Sequence, residues 1–320
     1  MDHGRGGRGI GRLTLPPSSL NTKGPSFASI VSFVFLLFTP QLASAQIYES
    51  IGIRAQGMGG AFVAVADDAT TTWWNPAGLA SGGYFNSVIE FDRVDHPAGT
   101  RARAIALNVP SLGLSYYRLA LNGMRLTDPT GASSASREDQ GVLNQFGATV
   151  GQSVGSHLIL GSTLKLVHAL GKTGGDLDMG AMATFSRFRL GLAVKNLRAP
   201  EFSDGDTRLE LTRQVRAGAS IRGGSPGRAE ITGAVDADLT TTPTAVGDER
   251  HLATGVEAWL VNRAVGLRAG VGMNTLGESR TSGSVGVSVG LRGGSFLDGQ
   301  LTRGADEARN GWGLSLRVTF

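Results

Sequence analysis

The sequence predicts an all-β fold: a transmembrane antiparallel β-barrel of about fourteen strands with a small N-terminal plug, or hatch. Three observations predict it. Apolar and small or polar residues alternate with period two from Tyr84 to Phe320, the mark of strands whose two faces meet different surroundings. Glycine is abundant, 48 of 320 residues, and charge is sparse at 18%, as many short strands joined by tight turns would require. The longest apolar run, Ile30 to Phe38, is far short of the roughly 20 residues a spanning helix needs.

Residues 1–45 read as a cleaved export signal. Arg5, Arg8, Arg12 and Lys23 precede the apolar run, and Ala43-Ser44-Ala45 supplies an A-x-A site, with cleavage between Ala45 and Gln46. Removing four basic and one acidic residue from 30 and 26 leaves a net charge of about +1, so the basic pI of 9.7 comes mostly from the leader. No basic stripe interleaved with aromatics remains, which argues against nucleic-acid binding. The chain has no cysteine, which removes disulfides, thiolate chemistry and acylation at a leading Cys.

Residues 46–83 form the expected plug. Gly57, Gly59 and Gly60 permit sharp backbone turns, and Asp67-Asp68 and Asn75-Pro76 add turn chemistry. The apolar run Ala61 to Ala66 is too short to stand as a helix by itself and must pack against something. Pro76 fixes its own φ and biases Asn75 away from helix, so Asn75-Pro76-Ala77 is the candidate hatch motif.

Residues 84–320 form the expected barrel. Strands are predicted near 84–92, 101–109, 111–121, 140–152, 156–170, 176–186, 187–196, 213–222, 227–239, 249–261, 264–274, 280–291, 294–303 and 310–320. Most are about 10 residues long, which suits a tilted strand crossing the hydrocarbon core. In the last, Trp312, Leu314, Leu316, Val318 and Phe320 share a face opposite Gly311, Gly313, Ser315, Arg317 and Thr319. Lipid offers no partner to backbone N–H and C=O groups, so a sheet in a bilayer closes and leaves no edge. The small-residue face, with occasional charges at Lys195, Arg216, Glu230, Asp236, Glu257, Arg268 and Arg317, suits the lumen. Tyr84, Phe91, Trp259 and Trp312 lie at strand ends, where interfacial girdles form. The segments 122–139, 197–212 and 240–248 read as long polar loops, expected outside, with tight joins such as Ser186-Arg187 on the opposite side.

No catalytic constellation stands out, and the chain reads as a non-enzyme needing no cofactor. Ser156 and His157 are adjacent, so on a strand they would point to opposite faces rather than cooperate. Asp67-Asp68 offers only two neighbouring ligands, and a turn or cap role fits better than a metal site. Gly57-Met58-Gly59-Gly60 lacks the Lys-Ser/Thr of a phosphate loop. Mixed-sign lumen charges, Arg268, Arg292 and Arg317 with Glu230, Asp236 and Glu257, either line a path or rigidify the wall; the second reading is favoured.

The stretch GMGGAFVAVADDAT followed by WWNPAGLA resembles the N-terminal hatch of the outer-membrane long-chain fatty-acid transporter (FadL-like) superfamily, whose members carry an Asn-Pro-Ala motif in a plug. The nearer likeness is to its shorter PorV/PorQ-type branch, shared also by LGLAVKNLRAP at 190–200. Phe320 resembles the terminal signal read by the barrel-assembly machinery. The resemblance implies an outer-membrane location, lipid contact, and one of two activities. The first is movement or binding of a hydrophobic ligand past the hatch. The second is a PorV-type role receiving exported cargo from secretion-system proteins.

Overall fold

The computed structural model describes Met1 and residues 51–94, 100–120, 142–204, 207–225, 228–244, 247–277, 279–305 and 310–320. The leader with Ala45 and Gln46, and the loop 122–139, lie outside the described residues.

Among the described residues eighteen strands follow in order. They are β1 (Asn86–Val94), β2 (Thr100–Val109), β3 (Leu112–Ala120), β4 (Val142–Val154), β5 (Leu158–Ala169), β6 (Lys172–Phe185), β7 (Phe188–Lys195), β8 (Glu201–Asp204) and β9 (Thr207–Glu210). Then come β10 (Gln214–Ser225), β11 (Ala229–Asp238), β12 (Thr242–Thr244), β13 (Gly247–Glu249), β14 (His251–Leu260), β15 (Val265–Asn274), β16 (Thr281–Gly290), β17 (Ser295–Gly304) and β18 (Gly311–Thr319). Fourteen of them close one antiparallel barrel, in which each strand pairs with its barrel neighbours in sequence and β1 pairs with β18 to seal the ring. The strands match the fourteen alternating runs, with the largest shift at β6, which begins at Lys172 rather than near 176.

Alternation decides which face is which. Along β4, Leu143, Gln145 and Thr149 are buried while Phe146 and Val150 are exposed at 57% and 56%. The same outward apolar band runs through Leu114, Leu164, Leu190, Val285 and Leu314. Such a continuous greasy belt has no stable place in water and matches a lipid environment. No described helix is long and apolar enough to cross a membrane.

Strand direction puts six of the seven barrel joins of two to four residues at one end; the seventh, Leu170-Gly171 between β5 and β6, lies at the other. The joins β2/β3, β4/β5, β6/β7, β10/β11, β14/β15 and β16/β17 share the first end, where the chain also enters β1 and leaves β18. Positive φ at Ser111, Gly155, Ser186 and Val261 closes several of these turns. The other end carries the longer connections, up to 21 residues between Ala120 and Val142. Two expected loops there are partly ordered as hairpins: β8 pairs with β9 within 197–212, and β12 pairs with β13 within 240–248. Strands of three and four residues are too short to show a period, which is why the sequence concealed them.

One aromatic departs from the expected girdle. Tyr84 and Trp312 are exposed, but Trp259 is 4% exposed and turns into the lumen, because it lies two residues from inward-facing Glu257 on the same strand face. Arg263, Arg268 and Arg317 stack their guanidinium groups over it at 5.1–5.7 Å.

Candidate functional site

The described part of the plug, residues 51–83, fills the lumen. Its first element, α1 (Ile53–Gly57), is one turn long and could not persist alone. The barrel wall supports it: Glu90 of β1 accepts the backbone N–H groups of Gly52 at 2.7 Å and Ile53 at 3.2 Å. The chain then reverses through Gly59 and Gly60, both at positive φ (69° and 87°), where a Cβ would be strained. Gly57 has a different reason to be glycine: a Cβ there would lie 3.3 Å from the Cα of Gly286. The run after it is held from the opposite wall by Asp236, which accepts the N–H groups of Phe62 and Val63 at 2.7 Å each.

The second element, α2 (Thr71–Trp74), starts after an Asp68 turn in which the carboxylate accepts from the N–H and hydroxyl of Thr70. Thr72 reaches the wall through hydroxyl contacts to Ser115 (3.0 Å) and Thr149 (2.6 Å). Asn75 follows with extended backbone, φ −154°, as the residue before a proline should. It is fully buried, and its side chain joins three segments. Its amide donates to the carbonyls of Val63 and of Ala181 on β6, and its oxygen accepts from Ala77 N–H to cap the 3-10 helix Pro76–Ser81. Asn75, Pro76 and Ala77 thus sit together at the contact between plug and wall.

What lets a backbone approach a barrel wall so closely is a belt of lumen-facing glycines. Gly151, Gly161 and Gly180 oppose one another across β4, β5 and β6, as do Gly191 with Gly218 and Gly255 with Gly270. A methyl at Gly161 would collide with Pro76, at Gly180 with Asn75, at Gly191 with Val63, and at Gly255 or Gly270 with Met58. The small face of the strands is therefore occupied by the plug over this belt rather than by water.

Charge supplies the other half of the seating. Arg54, 4% exposed, forms a fork with Glu257 of β14 (2.7 and 2.6 Å) and also reaches Asp67 (2.5 Å) and Asp68 (3.0 Å) within the plug. Glu257 shares its carboxylate with Arg268 at 2.7 Å, and Arg268 continues through Ser288 to Asp298 and Arg317. Burial pushes the Asp67 carboxyl up, but Arg54 and Arg222 outweigh it and hold the group below its ordinary value. The same three carboxylates outweigh the burial of Arg54 and keep it charged.

On the loop side of the plug, Trp74 packs edge-on to Phe62, donates from its ring N–H to Ile51 O, and carries Lys195 and Arg216 over its ring at 5.6 and 5.7 Å. A cavity of about 10 Å³ lies among Val63, Trp74, Ala193, Lys195, Gln214 and Arg216, room for a single water. Farther toward that end, Phe202, Leu209 and Leu211 of the β8–β9 hairpin segment are buried, with Phe202 against Gly174.

The structure seats the plug glycines against β14 to β16 and the hatch triplet against β5 and β6, on different parts of the wall. It does not unite Arg292, which is exposed in a turn, with the other lumen charges, and Glu230 pairs with Arg263 rather than across the barrel. Arg268 lies directly opposite Glu257 on the adjacent strand, so the mixed charges form ladders that also grip the plug. Asp67 and Asp68 face Arg54, and no group of three metal-ligating side chains occurs among the described residues. His157 sits exposed at a turn, bonded to Thr184 O and stacked on Phe185. Phe320 extends the β1–β18 seam, exchanging backbone bonds with Phe85 at 2.9 and 3.3 Å. Sequence reasoning missed Arg54, Glu90 and Asp236 as plug anchors; the single basic residue of the 46–83 segment was the available signal for the first.

No family model and no curated protein matches the chain. In fold it is similar to the Ralstonia pickettii toluene transporter TbuX, at 12% identity and TM-score 0.58, over 85% of this chain and 99% of that one. A Pseudomonas aeruginosa FadL homologue aligns at 12% identity and TM-score 0.53, over 87% and 100%. The Pseudomonas putida toluene transporter TodX aligns at 11% and 0.51, over 86% and 98%.

Proposed function

We propose that this chain is an outer-membrane protein that passes small hydrophobic molecules across the bilayer through a barrel closed by a displaceable N-terminal hatch. The observation that carries the reading is the mode of closure. The plug fills the lumen yet is fixed to the wall by hydrogen bonds and ion pairs that can exchange, on a belt of glycines that offers no interlocking side chains. Fold similarity to two toluene transporters and a FadL homologue supports the substrate class, and export through residues 1–45 belongs to the same reading.

The test locks the hatch. Thr72 of the plug and Thr149 of β4 place their hydroxyl oxygens 2.6 Å apart, and the chain has no cysteine of its own. A Thr72→Cys, Thr149→Cys pair, oxidised to a disulfide, should abolish uptake of toluene into cells that depend on this protein for entry, and a reductant should restore it. Uptake that ignores the lock would remove the hatch from the route.

A second reading, the PorV-type role in receiving exported cargo proteins, draws on one feature: two small hairpins stand at the long-connection end of a barrel whose lumen holds the plug. Affinity capture from native outer membrane in mild detergent separates the two. Secretion components or cargo would support this reading, whereas a stoichiometric hydrophobic ligand alone would support transport.

A further inference from the structure

Charge on the outer, lipid-facing wall of the barrel is segregated completely among the described residues. Every Asp and Glu of the fourteen barrel strands faces the lumen, while the charged side chains that face outward are all arginines: Arg93, Arg101, Arg103, Arg118 and Arg303. All five lie at the end of the barrel that carries the long connections. Four of them form one block on three adjacent strands, since Arg93 of β1 is directly opposite Arg101 of β2, and Arg103 of β2 is directly opposite Arg118 of β3.

Like charges directly opposed across an antiparallel pair repel one another. Here two such pairs are stacked, and Arg101 and Arg118 have no ion-pair partner among the described residues. The block also has a sharp lower boundary. One row nearer the middle of the wall, the outward positions become Ile89, Ile105, Tyr116, Phe146 and Leu166. Tyr116 sits at the boundary, its ring 4.6 Å from Phe146 and its hydroxyl donating to Asn144 beside Arg118. Apolar below, tyrosine at the line and arginine above is the order a membrane interface imposes, because arginine on the lipid face is costly at mid-depth and nearly free at the headgroups. No other face of the barrel repeats it: the outward positions of the described strands β7, β10, β11 and β14 to β16 carry no charge.

We propose that the Arg93–Arg101–Arg103–Arg118 block is a binding site for the phosphate groups of a phosphorylated glycolipid in the leaflet at the long-connection end. Phosphates at headgroup depth meet guanidinium forks in bidentate geometry and relieve the repulsion between the paired arginines. A soluble anion has no reason to prefer this depth, whereas a lipid whose acyl chains lie along Ile105, Phe146 and Leu166 is held at both ends. The proposal requires a bilayer around the barrel and is independent of whether the hatch opens.

The experiment uses the purified full chain in detergent micelles. Native mass spectrometry compares retention of bis-phosphorylated lipid A with that of lipid A stripped of both phosphates. The wild type is expected to retain the phosphorylated form at least tenfold more strongly. An Arg101→Gln, Arg103→Gln, Arg118→Gln variant should lose that preference, while Lys172→Gln, on the lumen side of the same rim, should keep it. Heat-dependent gel mobility reports whether the variant is folded; if it is not, the two-lipid comparison on wild type still decides. Equal retention of both lipids by wild type, or unchanged preference in the folded triple variant, overturns the proposal. Full displacement by inorganic phosphate at matched phosphate concentration overturns it too, because the site would then serve a free anion.

Discussion

Arg54 joins plug and wall through one group, because its guanidinium meets a carboxylate of the wall and two of the plug. Asp67 makes that grip sensitive to acid. Its pKa is lowered in the docked state, so it contributes stability that is fully present above its ordinary value of 3.8 and is lost as pH falls through the lower docked value. The Asp67 contribution to hatch docking is therefore expected to be constant between neutrality and about pH 5 and to be lost below the ordinary value. Planar-bilayer conductance should rise with acid below that value in the wild type, and Asp67→Asn should remove that acid-side step; a step that persists in Asp67→Asn would assign it elsewhere. Glu257→Gln tests the same contact without acid. Arg54 keeps Asp67 and Asp68, so the loss is that of one charged hydrogen-bond pair, about 2 kcal/mol, or roughly a thirtyfold shift toward the open hatch at neutral pH.

At the scale of elements, closure rests on the β1–β18 seam. Phe320 adds one further backbone pair to it, with Phe85, and its ring lies 5.9 Å from the ring of Phe85. Deleting Phe320 removes that pair at the point where first and last strands must meet, and the expected outcome is lower outer-membrane abundance with unchanged synthesis. Abundance equal to wild type would separate the seam from assembly. The barrel strands were readable because alternation is imposed by two unlike solvents, lipid on one side and plug or lumen on the other, over about ten residues each. The hairpins β8–β9 and β12–β13 lack both conditions. The glycine belt was visible only as small residues on one face; that Gly180 and Gly270 face Asn75 and Met58 depends on strand register and shear, which no single strand encodes. Asn75 shows both sides of this: its extended backbone follows from Pro76, whereas its bond to Ala181 is a long-range fact.

For the whole molecule, the ends of the barrel are unequal, and that inequality makes orientation testable. Both chain ends of the barrel and six of its seven short joins share one end, while the long connections, both small hairpins, the tight β5/β6 turn and the outward arginines share the other. Bacterial outer-membrane barrels keep short turns on the periplasmic side and long loops outside. Since the chain lacks cysteine, single substitutions report position without background. Glu201→Cys sits on the β8 hairpin, where it gives up only an exposed ion pair with Arg208, and Ser156→Cys sits in the exposed β4/β5 turn. In intact cells a membrane-impermeant maleimide should label Glu201→Cys and leave Ser156→Cys untouched until the outer membrane is permeabilised. The reverse pattern would turn the barrel over and carry the arginine block to the inner leaflet, where the phosphorylated glycolipid assignment fails with it. Equal labelling of both in intact cells would deny a membrane between the two ends, and with it the purpose of the apolar band.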